Sequence, residues 1–304
     1  MSEIIYWMLN MSLLASAAGL VIILLRKIRK IPRRMIYLLW TIPFLRFVLP
    51  FALTSSFSFF HLFDRFRYAT VVVWKPATYT YFDFQVVASN YMGATSYERT
   101  MYYKKPFYYK NDLLGEFFQT AFWIWFLVAL ILILLVIGSY LITLQSVKKS
   151  ESDIKFPMVY GLFKQRIFIP STYEESDRHY VYLHEQVHAR RHDNLFRMLT
   201  LLIVCLHWYN PLAWLFLKLF YTDMELACDE KVYSTLSSED KLGYAHAIIN
   251  HTGGGDAYMT AFGGAPVKLR VKQLLSYRKM TFLSLFMLLL FLSVLFFTLL
   301  TNAG

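Results

Sequence analysis

Charge is scarce in this chain. Of 304 residues, 17% are charged while 57% are hydrophobic and 18% aromatic, a balance too apolar for an ordinary soluble domain and one that points to a lipid bilayer. Acidic residues are the scarcer sign, 20 against 31 basic, for a net charge of +11. The basic excess clusters beside apolar runs, so it reads as membrane topology, and direct nucleic-acid binding is not expected. Cysteine is nearly absent: Cys205 and Cys228 are the two in the chain. Neither lies in the stretch assigned below to the outside, so no disulfide framework is suggested. The N-terminus also lacks the basic start of a cleavable signal peptide.

What is present is a series of apolar runs with asymmetric flanks. Residues 4–25 carry no charge and are long enough to cross roughly 30 Å of hydrocarbon at about 1.5 Å per residue. Glu3 precedes this run, and Arg26, Lys27, Arg29, Lys30, Arg33 and Arg34 follow it, which puts the N-terminus outside. Residues 35–54 supply a return span interrupted by Pro43, Arg46 and Pro50; Arg46 reads as snorkelling or paired before it reads as functional. Residues 1–54 are thus expected to form a transmembrane hairpin.

Residues 55–115 are rich in Tyr and Phe and read as an extracytoplasmic aromatic loop with some strand content. Its aromatics either bind a ligand or rest on the membrane interface, and the second reading is favoured. Residues 116–147 are the expected third span, longer than a bilayer needs and so tilted or extended beyond it. Lys148 and Lys149 then mark the cytoplasmic side. The segment 148–279 is mixed; within it the apolar stretch 198–217 is broken by His207, Asn210 and Pro211, giving a helix pair that is either buried or membrane-embedded. Lys268, Arg270, Lys272, Arg278 and Lys279 precede the final uncharged run at 280–304. Four spans, with both termini outside and 148–279 in the cytoplasm, satisfy all the asymmetries.

That cytoplasmic segment holds His184-Glu185-Gln186-Val187-His188. Histidines four apart share one helical face and can reach one zinc ion. Glu185, offset beside them, suits a general base acting on a water and then on the leaving amine. The string alone is weak, but Glu225 and Asp229 are also four apart, so one face can offer Glu225 as third ligand and Asp229 as support to an imidazole. Asp193, after the zinc helix, can pin its end or orient a histidine, which is favoured over direct ligation. Upstream, Phe156-Pro157-Met158-Val159-Tyr160-Gly161 and Gln165-Arg166-Ile167-Phe168-Ile169-Pro170 read as two short strands whose edge can hold an extended peptide.

With these residues in view, the sequence resembles the membrane zinc peptidases of the BlaR/MecR antirepressor type, metallopeptidase family 56. The likeness is carried by HEQVH at 184–188 with RRHD at 190–193, by MELACDE at 224–230, and by Pro157, Gly161, Ile167 and Pro170. It implies His184, His188 and Glu225 as zinc ligands, Glu185 as base and Asp229 as a supporting or additional ligand. Relatives of this type carry an extracellular penicillin-binding sensor beyond the last span. None follows here before Gly304, so sensing through an acylated serine is not carried over.

Ser146-Val147-Lys148-Lys149 and Ser276-Tyr277-Arg278-Lys279 match the serine-lysine motif of such sensors only formally. Cys228 reads as a small buried residue before a metal-competing thiol, and His207, His246 and His251 as satisfied or solvent-facing. The glycine-rich stretch 252–266 is a linker, gating loop or self-cleavage site, with the linker favoured.

The expected fold is a mainly α membrane protein with about four transmembrane helices and a cytoplasmic gluzincin-like zinc peptidase domain of helices plus a small edge β-sheet. The expected function is a zinc-dependent endopeptidase of a bacterial cytoplasmic membrane that cleaves a cytoplasmic regulator, a repressor of the BlaI/MecI kind, in signalling linked to antibiotic resistance. Pairing into a homodimer stays open. One rival is an HtpX or Ste24 type peptidase of membrane-protein quality control or processing. The other is a non-catalytic membrane receptor or immunity protein.

Overall fold

Long apolar runs with few helix breakers favour helices, and helices dominate the computed structural model, which describes residues 2–28, 31–49, 54–55, 111–149, 156–252, 265–276, 282–300 and 302–303. In chain order the elements are α1 (Ser2–Arg26), α2 (Arg33–Leu39), α3 (Thr41–Val48), β1 (Thr54–Ser55), α4 (Asn111–Lys149), β2 (Met158–Tyr160), β3 (Arg166–Phe168), α5 (Glu175–Arg191), α6 (Asp193–Leu206), α7 (Pro211–Thr235), α8 (Asp240–Thr252), α9 (Val267–Leu275), α10 (Phe282–Leu300) and β4 (Asn302–Ala303). Nearly all of the aromatic loop at 55–115, and most of the glycine-rich stretch at 252–266, lie outside the described residues. So does the end of the expected return span, of which α2 and α3 are described, with a break at Trp40.

Stretches 7–26 and 119–147 are long and apolar enough to cross a bilayer by length and composition. They differ in setting: half of the first is enclosed by protein, against 6% of the second. Helix α4 turns Leu127, Leu134, Leu141 and Ile142 outward, an apolar surface that water would not tolerate over such a length.

The chain divides into two compact units. One comprises residues 1–19, 42–128 and 282–304. It holds α3, α10 and the two-residue parallel pairing of β1 with β4, and its enclosed residues include Ile5, Met8, Ile42, Phe44 and Phe47. Arg46, expected to be snorkelling or paired, is enclosed there too, 2% exposed.

The other unit, residues 20–41 and 129–281, carries every motif residue. Its axis is α7, started by Asn210, whose side chain accepts from the Leu212 N–H at 2.9 Å, with Pro211 in the first turn where its missing donor is harmless. The Asn-Pro break thus yields the expected helix pair, α6 and α7. Helix α2 packs along α7, with Tyr37 stacked on Phe220 (5.4 Å between centroids, 13°) and Trp40 tilted against Phe216 (5.6 Å, 45°).

Asp223 and Glu230 stand two turns apart on one face of α7, and both are buried. Arg26 donates to Asp223 through Nε at 2.6 Å and Nη2 at 3.1 Å, and Trp40 Nε1 donates to it at 2.8 Å. The Arg33 backbone N–H reaches Glu230 at 2.7 Å and Arg34 Nε at 2.9 Å. Basic residues that the sequence assigns to a membrane flank are here partners of buried carboxylates, which cannot stay ionised without them.

Helix α5 ends where His192 adopts left-handed dihedrals (φ 55°, ψ 39°), so that α6 starts at once with Asp193. Beneath α5, Tyr180, Leu183 and Val187 pack on a core of Val232, Tyr244, Ile248 and Leu274, each of which contributes roughly 1.5–3 kcal/mol by leaving water. This core fixes α8 and α9 against α5. Strands β2 and β3 pair antiparallel with Val159 opposite Ile167. Gly161 turns the chain between them at φ +91°, where an added Cβ would lie 2.4 Å from the Lys164 carbonyl oxygen.

Candidate metal centre

Helical spacing turns His184 and His188 to the same side of α5, and the structure buries both. Their Nε2 atoms are 3.1 Å apart, and Glu225 Oε2, from α7, lies 3.4 Å from each. Donors around a tetrahedral zinc at roughly 2.0–2.1 Å sit roughly 3.3–3.4 Å from one another. The three atoms therefore form one face of such a tetrahedron, and the donor set fits the ion. Glu185 lines the same cavity as all three.

Each imidazole has a carboxylate behind it. His188 Nδ1 is 2.5 Å from Asp193 Oδ2, which also takes the Arg191 guanidinium. His184 Nδ1 is 3.2 Å from Asp229 Oδ1. Asp229 is clamped by Arg270, with Nε to Oδ2 and Nη2 to Oδ1 both 2.7 Å, and accepts the Tyr244 hydroxyl at 2.7 Å. Such outer partners fix the ring and choose which nitrogen faces a metal. Glu225 is turned by Arg197, whose Nη2 bonds Oε1 and leaves Oε2 toward the histidines.

Electrostatics agrees with the geometry. Burial opposes charge on Glu225, yet His188, His184 and Arg197 outweigh it and hold the carboxyl well below the usual carboxylate range. Burial likewise opposes ionised Asp229, and Arg270 with His184 holds it low. Both imidazoles are pushed well above their ordinary value against the effect of burial, by Cys228, Tyr244 and Asp229 at His184 and by Cys228, Glu225 and Asp193 at His188. A group of acids around two bases is what a divalent cation neutralises.

Cys228 is closer to the centre than a mere filler residue. His184, His188 and Cys228 each bring one donor atom within 4.8 Å of the others. Its Sγ, however, lies 3.3 Å from the His184 carbonyl oxygen and donates there, whereas Glu225 Oε2 meets both Nε2 atoms at the tighter spacing. The carboxylate is the better third donor on that ground.

All the expected site residues, His184, Glu185, His188, Asp193, Glu225 and Asp229, are thus gathered in one place. Sequence reasoning missed Tyr37, Arg191, Arg197, Tyr244 and Arg270. Arg191 stood within the quoted RRHD, and Arg270 within a basic cluster read as a membrane flank; no sequence signal marks Tyr37 or Tyr244.

The cavity has a volume of about 800 Å³. Leu132, Leu135, Val136 and Leu144 of α4 form an apolar wall, and β2 with Gly161 forms a rim.

A family model described as BlaR1 peptidase M56 matches residues 6–153 and 145–277. The chain is 30% identical over 103 residues to the methicillin resistance mecR1 protein of Staphylococcus aureus, covering 33% of this chain and 18% of that protein. It is 33% identical over 102 residues to regulatory protein BlaR1 of Bacillus licheniformis, covering 33% and 17%. Regulatory protein BlaR1 of Staphylococcus aureus is 29% identical over 108 residues, covering 34% and 18%. The chain thus aligns to less than a fifth of the length of these relatives.

Proposed function

The chain belongs to the BlaR1 peptidase M56 family, and from that premise we propose that it is an integral membrane zinc endopeptidase with a cytoplasm-facing site. Its substrate in this reading is a cytoplasmic regulator of the BlaI/MecI repressor kind. The observation that carries the reading is the convergence of His184 Nε2, His188 Nε2 and Glu225 Oε2 at 3.1–3.4 Å, beside Glu185, in one cavity.

His184, His188 and Glu225 would hold the zinc. Bound there, zinc supplies Lewis acidity and makes water a nucleophile near neutral pH. Glu185 takes the proton from the attacking water on its carboxylate and returns it to the leaving amine. Asp193 and Asp229 hold the imidazoles in the tautomer that presents Nε2. The β2 edge and the apolar wall align an extended chain through backbone hydrogen bonds and side-chain burial.

The test is purified protein in detergent with zinc and a candidate repressor, beside Glu185→Gln. The wild type should cleave, and the variant should keep its metal and lose cleavage by at least about a hundredfold. Equal activity in the two would end the reading. The apolar α4 wall also favours a second substrate class, a hydrophobic segment of a membrane protein, as in quality control; cleavage of unfolded membrane proteins in preference to the repressor would select it.

A further inference from the structure

We propose that Tyr37, on the helix that follows α1, is a positioning residue that sets the metal affinity of His188 through Asp193. The inference rests on the metal reading above and adds a distant control to it.

Asp193 is 0% exposed, so both of its oxygens need donors from within the protein. Oδ2 is occupied by His188 and Arg191. Oδ1 takes the Tyr37 hydroxyl, at 3.1 Å. Held on one oxygen alone, the carboxylate can turn about its Cβ–Cγ bond; held on both, its plane is fixed, and with it the His188 ring.

The Tyr37 ring is itself pinned. Phe220 stacks on it, and Arg191 Cζ sits 4.9 Å from its centroid. Helix α2 is tied to α7 by Arg33 and Arg34 on Glu230 and by Trp40 on Asp223, the carboxylate that Arg26 also grips at the end of α1. A displacement of α2 along α7 therefore draws the hydroxyl from Asp193, and two hydrogen bonds later it reaches the imidazole. The position of the α1–α2 segment is read out as metal affinity.

The experiment is zinc binding to the full-length protein in detergent, measured with metal-buffered solutions, together with the visible spectrum of the cobalt-substituted protein. Tyr37→Phe keeps the stack and the cation contact and removes the hydroxyl alone. It should weaken zinc binding by roughly three- to tenfold, below the span for direct partners of ligating histidines, and shift the cobalt bands. Arg34→Gln, which loosens the grip of the same helix on Glu230 without touching Asp193, should move both in the same direction as Tyr37→Phe and by less, and it should add nothing once Tyr37 is already Phe. In the Tyr37→Phe, Asp193→Asn double variant the losses should not add, because both act through one carboxylate.

Wild-type affinity in Tyr37→Phe, or additive losses in the double variant, would overturn the inference while leaving the metal site standing. A wild type that binds no zinc would overturn the site and the inference together.

Discussion

The carboxylate behind His188 comes from Asp193, five residues further along the chain, whereas the one behind His184 comes from Asp229 on another helix, with Tyr244 and Arg270 from two more. Both imidazoles receive the same support, a buried carboxylate with a guanidinium behind it. The His188 side is assembled by the α5–α6 turn, where left-handed His192 lets Asp193 fold back on its neighbour. The His184 side exists only once α7, α8 and α9 have packed. Local chain geometry supplies one half of the site, and tertiary packing supplies the other.

If that contrast is right, the two sides should fail differently. The largest effect is expected on the packed side. Arg270→Met leaves Asp229 buried and deprived of its clamp, a loss of about 3–5 kcal/mol for a broken buried pair. Thermal unfolding of the metal-free protein should show it, and a variant as stable as wild type would remove the contrast.

The local side should break with less damage to the fold. Arg191 retains 23% side-chain exposure, so water can take over when Asp193→Asn removes its partner. Zinc affinity should nevertheless fall by about 10- to 100-fold, since the ring loses its orienting carboxylate. Equilibrium metal binding measures this, and a stability loss as large as that of Arg270→Met would contradict it.

A smaller effect, common to both sides, is a pH dependence. In the metal-free protein His184 and His188 titrate above the ordinary value of about 6.5. Their protonation stabilises the fold fully below about pH 6.5, and that contribution is lost as pH rises through the raised values. Glu225 and Asp229, held low, contribute above about pH 4 and lose their contribution as pH falls through the depressed values. Zinc should therefore raise the melting temperature more at pH 8 than at pH 6, and the reverse order would count against this electrostatic account.

The same contrast explains what was legible in the sequence. A spacing of four residues converts directly into a shared helical face, so His184 with His188 and Glu225 with Asp229 could be read, and Asp193 could be read as the carboxylate trailing the helix end. The two short strands within 156–170 and the break at Asn210-Pro211 were legible for the same local reason. Arg270 is 86 residues from His184 and Tyr37 is 156 from Asp193, and no periodicity links such pairs. Arg33, Arg34 and Arg270 look identical in sequence whether they face lipid headgroups or a buried carboxylate. Folding alone distinguishes the two, and it buried Arg270 and left Arg33 half-buried beside Asp223.

The account stands on His184, His188 and Glu225 closing around one ion, with Cys228 adjacent but not bound. X-ray absorption at the zinc edge of the purified protein tests that directly. The predicted result is one zinc per chain in a shell of nitrogen and oxygen alone at roughly 2.0–2.1 Å, lost in Glu225→Gln and kept in Cys228→Ser. A sulfur scatterer near roughly 2.3 Å, or zinc retained in Glu225→Gln, would contradict it.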